Sequence, residues 1–164
     1  MKYIKFIILI LLISLLPSCT FNDPKYLNLK EKPNIYYYSN EVYKNLKKDK
    51  KFTLKVFDVN YYQEYIVSPE DYDILLSFLE SLNMDNYNYN NDIDISEKTI
   101  AYKLIVEFED SKYLFNAYDN NTVTLFPWDG NFAEDIITMD GVSEHNNIYS
   151  FCLYVINKSH KNSQ

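Results

Sequence analysis

Four apolar-rich runs set close together constrain this chain more than any other feature. Residues 101–109, 112–118, 122–126 and 135–139 are rich in β-branched and aromatic side chains. Asp110-Ser111 and Asn120-Asn121 punctuate the first two junctions, and Trp128-Asp129-Gly130-Asn131 lies in the third. Gaps this short can reverse a chain, but they cannot carry the dozen or so residues of a parallel crossover. The runs must therefore pair as antiparallel hairpins. Residues 52–59 also alternate and predict an earlier strand. Between them, Ser68 is placed to cap a helix that starts at Pro69 with Glu70 and Asp71 in its first turn. Ile74, Leu75, Phe78, Leu79 and Leu82 form its apolar stripe. A last helix is expected over 144–156, capped by Ser143, with Ile148, Phe151, Cys152 and Val155 on one face. The order β-α-β-β-β-β-α predicts an α+β fold, a curved antiparallel sheet with helices packed on one face. Ahead of it, residues 35–38 suggest a short strand or packing segment. Asn40 can cap a short helix through Leu46, with Val42, Tyr43 and Leu46 on one face.

The first eighteen residues read as an export signal. Lys2 and Lys5 supply a positive start, and residues 6–16 are apolar apart from Ser14. That run is shorter than the roughly 20 apolar residues a membrane span needs. It matches the ~7–15-residue core of a secretory signal. Leu16-Pro17-Ser18-Cys19 follows, with an aliphatic residue three places before the cysteine and a small one just before it. This resembles the lipobox of bacterial lipoproteins. The resemblance implies that the Cys19 thiol receives a diacylglyceryl group and that cleavage occurs before it. The mature chain would then sit lipid-anchored on the extracellular face of the cell membrane, since two acyl chains suffice for stable anchoring. Residues 19–34 hold Pro24 and Pro33 among polar residues and read as a tether with an extended reach of about 50 Å.

Without residues 1–18 the chain keeps fourteen lysines against twenty-three acids, a net charge of −9. Residues 25–55 carry nine lysines and three acids, whereas 56–164 carry five lysines and nineteen acids. The lysine run over 44–51 has two readings. It can lie on anionic headgroups, at about 1 kcal/mol per lysine near the surface, or it can be a solvated helix end. There is no arginine, so the planar fork that reads guanine and phosphate is missing. The net charge would also repel a polyanion, which argues against nucleic acid. The only glycines are Gly130 and Gly141. A phosphate-cradling loop needs several close together, so a nucleotide site is not expected. With Cys19 lipidated, Cys152 has no cysteine to pair with, and hydrophobic burial must hold the domain together.

Candidate chemistry is sparse. His145 and Cys152 would lie on one helix face but about 10.5 Å apart along its axis, too far for a nucleophile and its base. Cys152 reads as core. Residues 85–97 offer oxygen ligands of the kind calcium prefers (Asp85, Asn88, Asn90, Asp92, Asp94 and Glu97). They lack the turn glycine and ligand order of an EF-hand, and read better as a polar loop. No metal, cofactor or catalytic residue is assigned. The most distinctive stretch is Pro127-Trp128-Asp129-Gly130-Asn131-Phe132. In one reading it is a tight turn with Trp128 packed on the sheet. In the other, Trp128 is an exposed aromatic anchor that contacts a partner together with Asp129, Phe132 and Asp135. The leading expectation is a membrane-anchored binding or accessory module that meets an envelope protein or peptide. The alternative is a hydrolase of envelope glycan acting through two carboxylates.

Several short motifs recur in a known family. Tyr36-Tyr37-Tyr38-Ser39-Asn40-Glu41, Phe126-Pro127-Trp128-Asp129-Gly130-Asn131, Met139-Asp140-Gly141-Val142 and Asn147-Ile148-Tyr149-Ser150-Phe151-Cys152 carry the likeness. With them the chain resembles an uncharacterised family of small lipoproteins, a domain of unknown function, from clostridial, low-GC Gram-positive bacteria. The resemblance implies location and architecture but no chemistry. The expected organisation is a signal peptide (1–18), a lipidated N-terminus and tether (19–34), a lead-in (35–50), a single domain (51–158) and a polar tail (159–164).

Overall fold

Strand pairing follows chain order across most of the sheet. The computed structural model describes residues 32–87, 93–128 and 133–162. Its strands are β1 (Phe52–Asp58), β2 (Gln63–Ile66), β3 (Tyr102–Phe108), β4 (Lys112–Ala117), β5 (Thr122–Pro127) and β6 (Asp135–Thr138). They form one open antiparallel sheet in the order β2-β1-β3-β4-β5-β6. The helices are α1 (Tyr37–Lys47), α2 (Asp73–Ser81) and α3 (Ile148–Asn162). This is the expected α+β fold.

Register explains the core. Leu54 lies opposite Val106, Leu104 opposite Phe115, Phe115 opposite Leu125, and Val123 opposite Ile137. Because side chains alternate with period two, these residues share one face, and all are buried. The helices cover that face. α1 contributes Tyr38, Val42 and Leu46; α2 contributes Ile74, Leu75, Phe78 and Leu79; α3 contributes Ile148, Phe151, Cys152, Val155 and Ile156. Each set has helical spacing. Phe78 of α2 meets Phe115 edge-to-face at 5.9 Å, a favoured aromatic geometry.

Five local features differ from expectation. The helix expected from Pro69 begins only at Asp73; Pro69–Asp71 form a separate 3-10 turn, and Ser68 makes no side-chain cap. β2 was not foreseen: only Tyr65 of its four residues is buried, so it carries almost no alternation signal. Its hairpin is held by Asp58 Oδ1, which accepts from the N–H groups of Asn60 and Tyr61 at 2.8 and 3.2 Å. α1 starts at Tyr37, before Asn40, and residues 35–38 form no strand. Its buried face makes residues 37–47 part of the same core as the sheet rather than a lead-in to it. The last helix is capped by Asn147, not Ser143. Asn147 Oδ1 accepts from the N–H groups of Tyr149 and Ser150 at 2.9 and 3.2 Å. A separate 3-10 turn occupies Glu144–Asn146. Finally, α3 continues through Asn162, so 159–162 is helix rather than tail. His160 on its last turn packs against Tyr65, with Nε2 3.3 Å from the phenol oxygen.

Candidate functional site

The residues picked out by sequence separate into a surface group and an interior one. Trp128 directly follows β5, and its N–H donates to the Lys112 carbonyl at 2.9 Å. The indole is 40% exposed, and Lys112 Nζ sits 4.0 Å from the ring centroid. Such a cation–π contact contributes about 0.5–1 kcal/mol at an exposed site. Trp128 is thus a surface residue with one face occupied by its own lysine. Asp129, Phe132 and Cys19 lie outside the described residues, as do Asn88, Asn90 and Asp92 of the polar 85–97 loop. Among the described residues, no three His, Cys, Asp or Glu side chains converge in a metal-holding group.

Contrary to what its place in the sequence predicts, Asp135 does not join Trp128 on the surface; it is buried. Its register opposite Leu125 aims it at the helix-covered face, where its exposure is 0%. There its Oδ2 accepts from the N–H of Ser39 at 2.7 Å and from Ser39 Oγ at 2.9 Å. Lys32 Nζ lies 3.0 Å from Asp135 Oδ1 and donates to the Glu134 carbonyl at 2.6 Å. Ser39 is in the first turn of α1, whose N-cap residue Tyr36 makes no side-chain cap. Asp135 therefore supplies from β6 the anionic partner that the helix start lacks. Burial pushes its carboxyl above the ordinary range, opposed by the bonds from Ser39 and the charge of Lys32. A carboxyl sealed in this way is no open acid for glycan cleavage.

A second group, which sequence reasoning did not assemble, lies between the helices. The 3-10 turn Pro69–Asp71 and the start of α2 face the Glu144–Asn146 turn and α3. Between them is a cavity of about 700 Å³. Ile74, Phe151 and Tyr154 give it an apolar wall, and Glu70, Asp71, Asp73 and Glu144 give it carboxylates, with His145 alongside. Lys158 bridges two of the four, with Nζ 2.6 Å from Glu70 Oε1 and 2.8 Å from Asp71 Oδ2. Those bonds push the lysine above its ordinary range. Tyr154 stacks on Phe151 at 6.4 Å and donates to Asp71 Oδ1 at 3.3 Å. Asp73 and Glu144 face the cavity without a lysine among the ion pairs of the described residues. The recess thus combines an apolar wall with negative charge. Cys152 lies inside the core, and burial pushes its thiol up, away from the reactive thiolate.

Glu70 and Asp71 read in sequence as the first turn of a helix, and Glu144 as part of another helix start; each lies instead in a 3-10 turn just ahead of its helix. Nothing local signals that two helix starts some 70 residues apart share a cavity.

No curated protein matches the chain. A solved structure described as "Putative Lipoprotein from Clostridium perfringens" is similar, with a TM-score of 0.68 and 27% identity over 77% of this chain and 98% of that one. Among the described residues, no helix is long and apolar enough to cross a membrane. The family profile for "Domain of unknown function (DUF4883)" matches residues 32–152, and the chain belongs to that family.

Proposed function

We propose that this protein is a lipoprotein held on the outer face of the cell membrane through Cys19, and that its domain binds a cationic segment of an envelope protein. The observation that carries the binding reading is the cavity between α2 and α3. It joins an aromatic wall to the two carboxylates, Asp73 and Glu144, that Lys158 leaves uncovered. A lysine side chain offers what such a site takes, an apolar stem ending in an ammonium. The anchor reading is supported by Leu16-Pro17-Ser18-Cys19 and by the description of the similar clostridial structure.

Calorimetric titration of the full chain with an oligolysine peptide tests the binding reading. Binding should weaken as salt rises, and the double variant Asp73→Asn, Glu144→Gln should lower affinity by on the order of tenfold or more. Equal affinity in the variant would move the site elsewhere on the acidic surface. The anchor is tested separately: Cys19→Ala should abolish incorporation of labelled fatty acid, and label retained by the variant would refute the anchor.

A further inference from the structure

The antiparallel register gathers particular loops at one end of the sheet. Phe52 pairs with Phe108, Glu107 with Lys112, Tyr113 with Pro127, and Leu125 with Asp135. Residues 48–51, 109–112, Trp128 and Glu134 therefore lie at the same end. The chain reaches the domain there too, because Lys32 is fastened to the Glu134 carbonyl and to Asp135. The fastening is firm for a terminal segment, since Asp135 is buried and held by Ser39. Twelve residues lie between Cys19 and Lys32, so even a fully extended tether keeps this end within about 45 Å of the anchor.

The two ends of the sheet differ in charge. At the tethered end Lys48, Lys50, Lys51 and Lys112 stand against Asp49, Glu109, Asp110 and Glu134, with Asp129 next to Trp128 in sequence, and Lys48 and Lys51 are exposed. In the loops of the far end Asp94, Glu97, Asp119 and Asp140 face a single lysine, Lys98, which pairs with Asp119. An anionic surface repels the far end and tolerates the near one. Lysines can also extend toward headgroups on their long stems, which carboxylates cannot. The tethered end carries Trp128, 40% exposed, with Lys112 over its ring. A tryptophan beside lysines suits the level of lipid headgroups, where an amphipathic ring and a cation are both favoured.

We infer that this end of the sheet rests on an anionic bilayer, with Trp128 at headgroup depth and Lys48 and Lys51 against lipid phosphates. The inference builds on the anchor reading but is separable from it. Docked in this way, the domain turns its far end to the exterior and is oriented rather than free on its tether.

Trp128 is the only tryptophan in the chain, so its emission reports the contact directly. The mature lipidated chain would be reconstituted into vesicles of phosphatidylcholine, with or without phosphatidylglycerol, whose acyl chains carry bromine. Flotation with the vesicles scores the anchor, and quenching of Trp128 scores the docking. The expected result is flotation with both compositions. The emission should blue-shift and be quenched only on phosphatidylglycerol vesicles, and should recover in about 0.5 M salt, where screening is short-ranged. Lys48→Glu with Lys51→Glu should still float but lose the quenching. Flotation without quenching on phosphatidylglycerol overturns the docking and leaves the anchor standing. Quenching that the double variant retains also overturns it. A blue shift that grows with protein concentration in the absence of vesicles would overturn it in favour of a second copy. Failure to float removes the anchor and this inference together.

Discussion

Two carboxylate–lysine contacts in this protein have the same chemistry and opposite surroundings. At the start of β6 Lys32 meets Asp135 in the interior, and on the helix side Lys158 meets Glu70 and Asp71 at the surface. In the first, burial dominates: Asp135 is pushed up despite a lysine and two bonds from Ser39. In the second, the partners dominate and the lysine is pushed up. Pairing alone therefore does not set the energetics; the dielectric around the pair does. The interior pair contributes little net free energy when intact but costs much when half of it is removed. Its role is positional, because it ties the arriving chain, the start of α1 and the edge strand β6 together.

The comparison can be broken most sharply at Asp135. Asp135→Ala leaves the Lys32 ammonium without its counter-charge and the Ser39 N–H without its acceptor, and should cost roughly 3–5 kcal/mol in urea unfolding. A loss below about 1 kcal/mol would mean that the pair does not fasten the chain. Asp135→Asn sharpens the point through pH. A carboxyl raised by folding makes the folded chain hold more protons than the unfolded one between the ordinary aspartate value, about 3.9, and its raised value. The stability from this group is fully present below the ordinary value and is lost as pH rises through the raised one. The asparagine cannot titrate. Wild-type stability relative to Asp135→Asn should therefore fall as pH rises through that window and level off above it. A relative rise would show that Lys32 outweighs burial.

Trp128 stands between the two extremes, half-exposed with a lysine on one face. Trp128→Ala should cost no more than about 1 kcal/mol, whereas a large aromatic truncated in the core costs roughly 3–5 kcal/mol. Thermal melts distinguish the two. The smallest stability effect is expected at Lys158. Lys158→Met should leave Tm essentially unchanged while uncovering Glu70 and Asp71, so oligolysine should bind the variant more tightly than wild type. A clear drop in Tm would show that the surface bridge holds α3 to the turn before α2.

Much of the fold was legible because it rests on local periodicity. The runs that became β3, β4, β5 and β6 alternate or cluster strongly, and their short junctions allow only hairpins. The stripes of α2 and α3 were likewise legible, except that Leu82, expected on the α2 stripe, lies just past the helix end in extended backbone. The failures came where the local signal was weak or doubled. β2 turns a single residue inward. Ser143 and Asn147 both suit a cap, and Asn147 is also fixed from afar: its Nδ2 donates to the Asn120 carbonyl at 2.7 Å. Trp128 was seen as one of two things, core or anchor, and its exposure places it at the surface. Asp135 was read as a neighbour of Trp128 in sequence, but the neighbour that defines it is Ser39, 96 positions away.

By itself the sequence determined the hairpin-built sheet and the apolar helix faces, because each depends on spacing within a few turns or strands of the chain. Only the tertiary structure decided which carboxylates are sealed and which line a cavity, and at which end of the sheet Lys32 is fastened. Desolvation and Coulomb interaction act through space. The partners that set them for Asp135 and for the α2–α3 cavity come from segments far apart in the chain. No pattern within either segment could reveal them.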